Sequence, residues 1–182
     1  MWFFKRKIKV NYKKFLESLA RLNHKILTKD KTLDSLIKKE LYHKIDQNEI
    51  IRRHWESFYL ISFAIIIACE SQIKNDNRFS NIKSEYVDIL SEIININLSE
   101  IDVFKNDINE RYNLYKNSLI DKPPGAPFFL SNCFLTMLWL KSPDPEGKLI
   151  PHILTENMQI SEIFINIIEL VNETFEKYEI IF

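Results

Sequence analysis

The sequence predicts an all-α fold: one domain, residues 1–182, of about six to eight helices packed around a long apolar central helix. Three observations carry this. The stretch WESFYLISFAIIIACE, Trp55 to Glu70, holds 13 consecutive uncharged residues between Glu56 and Glu70, apolar on every side of a helical wheel. That is too short for the ~20 residues a membrane-spanning helix needs, so it reads as a helix buried among others. Apolar residues elsewhere recur at i, i+3, i+4 spacing, and no alternating strand pattern stands out. All six prolines and both glycines fall between Pro123 and Pro151, leaving the first 120 residues free of breakers.

Taken in order, the chain opens on MWFFKRKIKV, a basic and aromatic segment read as a flexible terminus. Asn11 then caps a first helix whose inner stripe is Tyr12, Phe15, Leu16, Leu19, Leu22 and Ile26. After the polar break Thr28 to Lys31, Thr32 is expected to cap a second helix with Leu33, Leu36, Ile37, Leu41 and Ile45 on one face. Asp46 and Glu49 make a capping-box-like pair ahead of the long helix, Glu49 to Lys74. Its length would be on the order of 39 Å at 1.5 Å per residue. Ile51, Trp55, Phe58, Ser62, Ile65, Cys69 and Ile73 follow one seam along it, with Glu56 and Glu70 read as its solvated ends.

A helix from about Asn81 to Ile96 follows, with Ile82, Tyr86, Ile89, Leu90 and Ile93 inward. Ser99, with Asp102 three residues on, is expected to cap the next, which carries Phe104, Ile108, Tyr112 and Tyr115. DKPPGAP breaks the chain and sets Pro127 in the first turn of a second dense apolar run, Phe128 to Leu140. A turn-rich loop through Asp144-Pro145-Glu146-Gly147 leads to a last helix from about Ser161, ending on Ile180, Ile181 and Phe182.

Composition excludes several classes of function. With 46% apolar residues the chain can bury a core, so general disorder is ruled against. Phosphate-binding loops need clustered glycines, and only Gly125 and Gly147 are present. No cofactor is expected. Glu40-Leu41-Tyr42-His43 has the Glu-x-x-His spacing of di-iron bundles, but the second such pair that this site requires does not occur. No metal is expected either. Cys69 and Cys133 sit in apolar runs and read as buried thiols. A nucleophile–base pair of Cys133 with His152 would need a proximity that the sequence does not give. No catalytic residue is assigned, and an enzyme with an unusual helical site ranks last among the readings.

Net charge is zero but polarised: Met1 to Arg53 carries a balance of +9, and Thr155 to Phe182 one of −5. Abundant Ile, Lys and Asn reads as AT-rich coding bias, so scattered lysines carry no weight. Nucleic-acid binding lacks a groove-reading motif and is not expected. Two surfaces remain. Trp2, Phe3 and Phe4 beside Lys5, Arg6 and Lys7 have the chemistry of weak anionic-membrane contact. Phe128, Phe129 and Trp139 in the apolar run, with Asp144, Glu146 and His152 beyond it, are the candidate partner surface. The leading expectation is a cytoplasmic, non-catalytic helical module that binds another protein, as an adaptor, inhibitor or immunity-type factor. A peripheral membrane protein is the alternative.

Overall fold

The computed structural model describes residues 7–40, 45–73, 81–120, 126–139 and 150–181, with backbone alone at 126, 128, 139 and 150–153. Among the described residues the helices are α1 (Tyr12–Lys29), α2 (Lys31–Ile37), α3 (Gln47–Gln72), α4 (Ile82–Ile93), α5 (Ile101–Leu119), α6 (Ala126–Trp139) and α7 (Ile150–Lys177). Two short strands, β1 (Ile8–Asn11) and β2 (Tyr178–Ile181), complete an all-α bundle with one small sheet. None of the described helices is long and apolar enough to cross a membrane.

Helix α3 packs against α1, α2, α4, α5, α6 and α7. Asp46 caps it, its Oδ1 accepting from the Glu49 amide at 2.8 Å. Every residue from Glu56 to Ile66 is buried. Ser57 and Ser62 tolerate that burial because each hydroxyl donates to the carbonyl one turn back, Arg53 O and Phe58 O, at 2.9 Å. Phe63 joins three helices: its ring stands edge-on to Tyr112 of α5 at 5.5 Å and stacks on Phe164 of α7 at 6.0 Å.

Glu49, one turn into α3, clamps two arginines that each close another helix. Arg52 donates to Met137 O and Leu138 O at the end of α6. Arg53, 3% exposed, donates to Ile37 O and Lys39 O at the end of α2. Unsatisfied carbonyls at a helix C-terminus attract cations in this way. The hydrogen bond from Arg52, followed by that from Arg53, holds the Glu49 carboxyl down at about 2.

Several sequence expectations are corrected. Asp30, not Thr32, caps α2, accepting from the Leu33 amide at 2.9 Å, while its own N–H closes α1 on Ile26 O. One residue therefore serves both helices. Helix α2 ends at Ile37, and Ile45 lies outside any helix. Glu100, without a side-chain cap, precedes α5 in place of Ser99. Helix α7 begins at Ile150, eleven residues before Ser161.

The ends of the described chain depart furthest from expectation. Lys7 to Val10 do not trail loosely, and the last helix does not run to the apolar end. Instead β1 and β2 pair in parallel, with Val10 opposite Ile180 and Lys9 opposite Glu179. Side chains alternate across a strand, so Val10 and Ile180 pack against the core while Lys9 and Glu179 stay exposed. Phe15 of α1 meets Phe175 of α7 edge-on at 4.8 Å, and Lys7 Nζ donates to Phe175 O at 3.2 Å. Basic and acidic thirds of the chain thus meet, also through the Lys39–Glu156 ion pair.

Candidate functional site: an aromatic cleft between α3 and α5

The first three turns of α3 expose one face to α5. Asn48, Ile51, Arg52, Trp55, Glu56 and Tyr59 lie on it at i, i+3, i+4, i+7, i+8 and i+11. Across from them stand Glu100, Val103, Phe104, Asp107, Glu110 and Arg111 of α5 and its approach, with Ile96 at one end. Together they line a cleft of about 750 Å³, within the range of ligand-sized pockets.

The connection between α4 and α5 sets the mouth of this cleft. Helix α4 ends when Asn95 adopts φ 58°, a left-handed conformation that Asn accommodates better than most residues. Asn95 N–H then bonds Glu92 O at 3.2 Å, and Ile96 N–H bonds Ser91 O at 3.1 Å. This pair of bonds is a Schellman ending, which turns the chain sharply. It delivers Ile96 to the cleft.

Aromatic rings form the wall. Trp55 stacks on Tyr59 at 6.0 Å and 29°, and meets Phe104 edge-on at 6.2 Å. Tyr59 and Phe104 are buried, whereas Trp55 is 36% exposed, Ile51 47% and Val103 63%. Sequence periodicity places Ile51 and Trp55 on the buried seam. They are exposed here because α5, the neighbour on that side, leaves the cleft open along them.

Below the rings lies an ion pair. Arg111 grips Glu56 with two bonds, Nε to Oε2 at 2.8 Å and Nη2 to Oε1 at 2.6 Å. Glu56 is 5% exposed, so it is not the solvated helix end that the sequence suggests. Such forked geometry matches carboxylate to guanidinium and is the stronger form of the bond. The Glu56 contact raises the Arg111 pKa further, keeping it charged. Arg111 also lies 6.0 Å from the Tyr59 ring centroid, and the Tyr59 hydroxyl donates to Asp107 Oδ2 at 3.3 Å. Burial, then the Asp107 charge, pushes the Tyr59 phenol up, so it stays protonated at neutral pH. Among the described residues the lining contains no histidine and no cysteine.

The surfaces proposed from sequence fall largely outside the described residues. Of the N-terminal set only Lys7 is described; Trp2, Phe3, Phe4, Lys5 and Arg6 fall outside the described residues. Phe129 projects from α6 with 44% exposure. Phe128 and Trp139 are on α6 and His152 on α7, but their side chains, and all of Asp144 and Glu146, lie outside the described residues. Lys7 and Phe129, the members of these sets with described side chains, do not line the cleft. Arg52 is the link between the two regions, since it lines the cleft and holds the last carbonyls of α6.

Cys69 is buried and its thiol is pushed up by that burial; Cys133 is half-buried on α6. His43, the second half of the Glu40 spacing motif, is outside the described residues. Among the described residues no three His, Cys, Asp or Glu side chains group as metal ligands would.

Sequence reasoning missed the cleft, although a signal was present. Arg52 and Glu56 interleave with Ile51, Trp55 and Tyr59 on α3 just ahead of the uncharged run, marking a face that is neither plain core nor plain surface. Compared with protein families, curated proteins and solved structures, the chain matches none.

Proposed function

We propose that the protein is a non-catalytic interaction module, of the adaptor, inhibitor or immunity type, that receives a segment of a partner protein in the α3–α5 cleft. The observation that supports this reading most is the exposed Trp55, backed by buried Tyr59 and Phe104 and flanked by exposed Ile51 and Val103. Aromatic side chains with large area and few torsions dominate binding energy at protein interfaces. The ionisable groups at the base are already engaged: Glu56 with Arg111, and Tyr59 with Asp107. Such an arrangement supports a rigid binding wall better than proton transfer, for which a group titrating near neutrality is wanted.

The test is site-directed photocrosslinking from position 103, with exposed Thr28 on α1 as the control position. Captured protein is identified, purified and titrated against the unmodified chain. The expected result is capture from position 103 alone and 1:1 binding that weakens at least tenfold on Trp55→Ala, with an unchanged circular dichroism spectrum. Equal capture from both positions, or binding indifferent to Trp55→Ala, overturns the assignment of the cleft.

A further inference from the structure

The geometry points to a basic occupant: the α3–α5 cleft takes a segment that presents an arginine or lysine next to an apolar side chain. This rests on the cleft being a partner site, and adds the chemistry of the partner.

The argument is one of charge left over. Among the described residues, four carboxylates and two guanidinium groups line the cleft. Arg111 is held by Glu56, and Arg52 shares Glu49 with Arg53 at 2.8 Å, so the two cations of the lining offset at most two of its four carboxylates and leave a net negative charge. Glu100, Asp107 and Glu110 have only neutral partners among the described residues: Asn97 Nδ2 at 3.4 Å, the Tyr59 hydroxyl at 3.3 Å and Asn106 Nδ2 at 3.0 Å. Asp107 is half-buried, and Glu100 and Glu110 are exposed.

These three carboxylates lie along one wall, opposite the Trp55–Tyr59 stack. A cation entering there gains from both sides at once. Its charge is drawn to the carboxylates and to the negative faces of the rings, and its aliphatic stem can lie along the exposed apolar flank of Ile51 and Val103. An acidic segment meets the same wall as repulsion, which is how charge selects partners. Anionic membranes and nucleic acids are disfavoured here on the same ground.

The experiment uses the full chain labelled with 15N, following the Trp55 indole resonance, assigned from Trp55→Phe. Three synthetic 12-residue peptide pools share Leu and Phe at alternate positions; the others are Arg and Lys, Asp and Glu, or Ser and Gln. Butylammonium chloride serves as a free-cation arm. The expected result is that the basic pool shifts the Trp55 resonance at concentrations at least tenfold below the acidic and neutral pools. That advantage should shrink in 0.5 M salt and fall at least tenfold in Asp107→Asn/Glu110→Gln, whose fold is checked by circular dichroism. If the acidic or neutral pool binds as well as the basic one, the cleft is a site but the inference about charge is wrong. If butylammonium matches the basic pool at equal cation concentration, the occupant is a free amine and the segment is refuted. If no pool moves Trp55, the cleft reading itself fails, and the inference with it.

Discussion

Replacing Arg111 by Leu strands a buried carboxylate. Glu56 keeps 6% side-chain exposure and loses both bonds from the guanidinium, at 2.8 and 2.6 Å. Breaking a buried pair from one side costs about 3–5 kcal/mol. Arg111 is itself 23% exposed, so water can enter beside it and the lower figure, about 3 kcal/mol, is expected. Removing both partners in Glu56→Leu/Arg111→Leu trades the pair for apolar contact with the neighbouring rings. That double variant should lie within about 1 kcal/mol of the parent.

The assay is urea unfolding at pH 7, followed by circular dichroism at 222 nm, on the parent, both single variants and the double. With a slope of about 2 kcal/mol per molar, Arg111→Leu should lower the midpoint by about 1.5 M, and the double variant by less than about 0.5 M. The cycle then gives a coupling energy of about 2 kcal/mol or more. An Arg111→Leu midpoint within about 0.3 M of the parent would refute the claim that Glu56 depends on this cation. So would a double variant no better than the single, because the cost would then lie in packing.

Three further outcomes are expected. Asn157 is wholly buried, and among the described residues neither amide atom has a hydrogen-bond partner; Asn157→Leu should therefore stabilise by about 1–2 kcal/mol, a rise of roughly 3–6 °C in Tm by calorimetry. The Glu49 carboxyl, lowered by Arg52 and Arg53 from 4.5 to about 2, contributes stability that is fully present above pH 4.5 and is lost as pH falls toward 2. Full linkage would give about 3 kcal/mol, and solvent screening reduces it to about 1 kcal/mol; Glu49→Gln should show a correspondingly flatter midpoint between pH 5 and 2. Cys69, 2% exposed, should react with a thiol reagent only through unfolding in a Cys133→Ser background, on the order of 10³-fold slower than in urea.

Much of the bundle is legible in sequence because burial leaves a periodic trace. The uncharged run after Glu56, the stripe Phe15, Leu16 and Leu19, and the caps Asn11 and Asp46 all follow from local chemistry. Asp30 was hidden for a local reason too: a break of a single residue, capping backward and forward, looks like any polar stretch.

What stays illegible is whatever depends on a distant neighbour. A helical wheel shows which residues share a face, not whether another helix covers it. Ile51 and Trp55 belong to the same seam as buried Phe58, yet α5 closes over Phe58 and leaves them open. Glu56 looks like a helix boundary until Arg111, 55 residues later, arrives beside it. The strands are harder still. Four residues such as IKVN or YEII are too few to fix a period of two, and their pairing joins positions about 170 apart.

That pairing has a mechanical consequence. A pull applied ahead of Ile8 and beyond Ile181 drags two parallel neighbours in opposite directions along their length. The ladder is then loaded in shear, its bonds sharing the force together, whereas strands peeled from one end would part in succession. The bundle behind it is thereby shielded from tension until this clasp gives way, so the weakest-looking element of the fold becomes the one that sets its resistance to stretching.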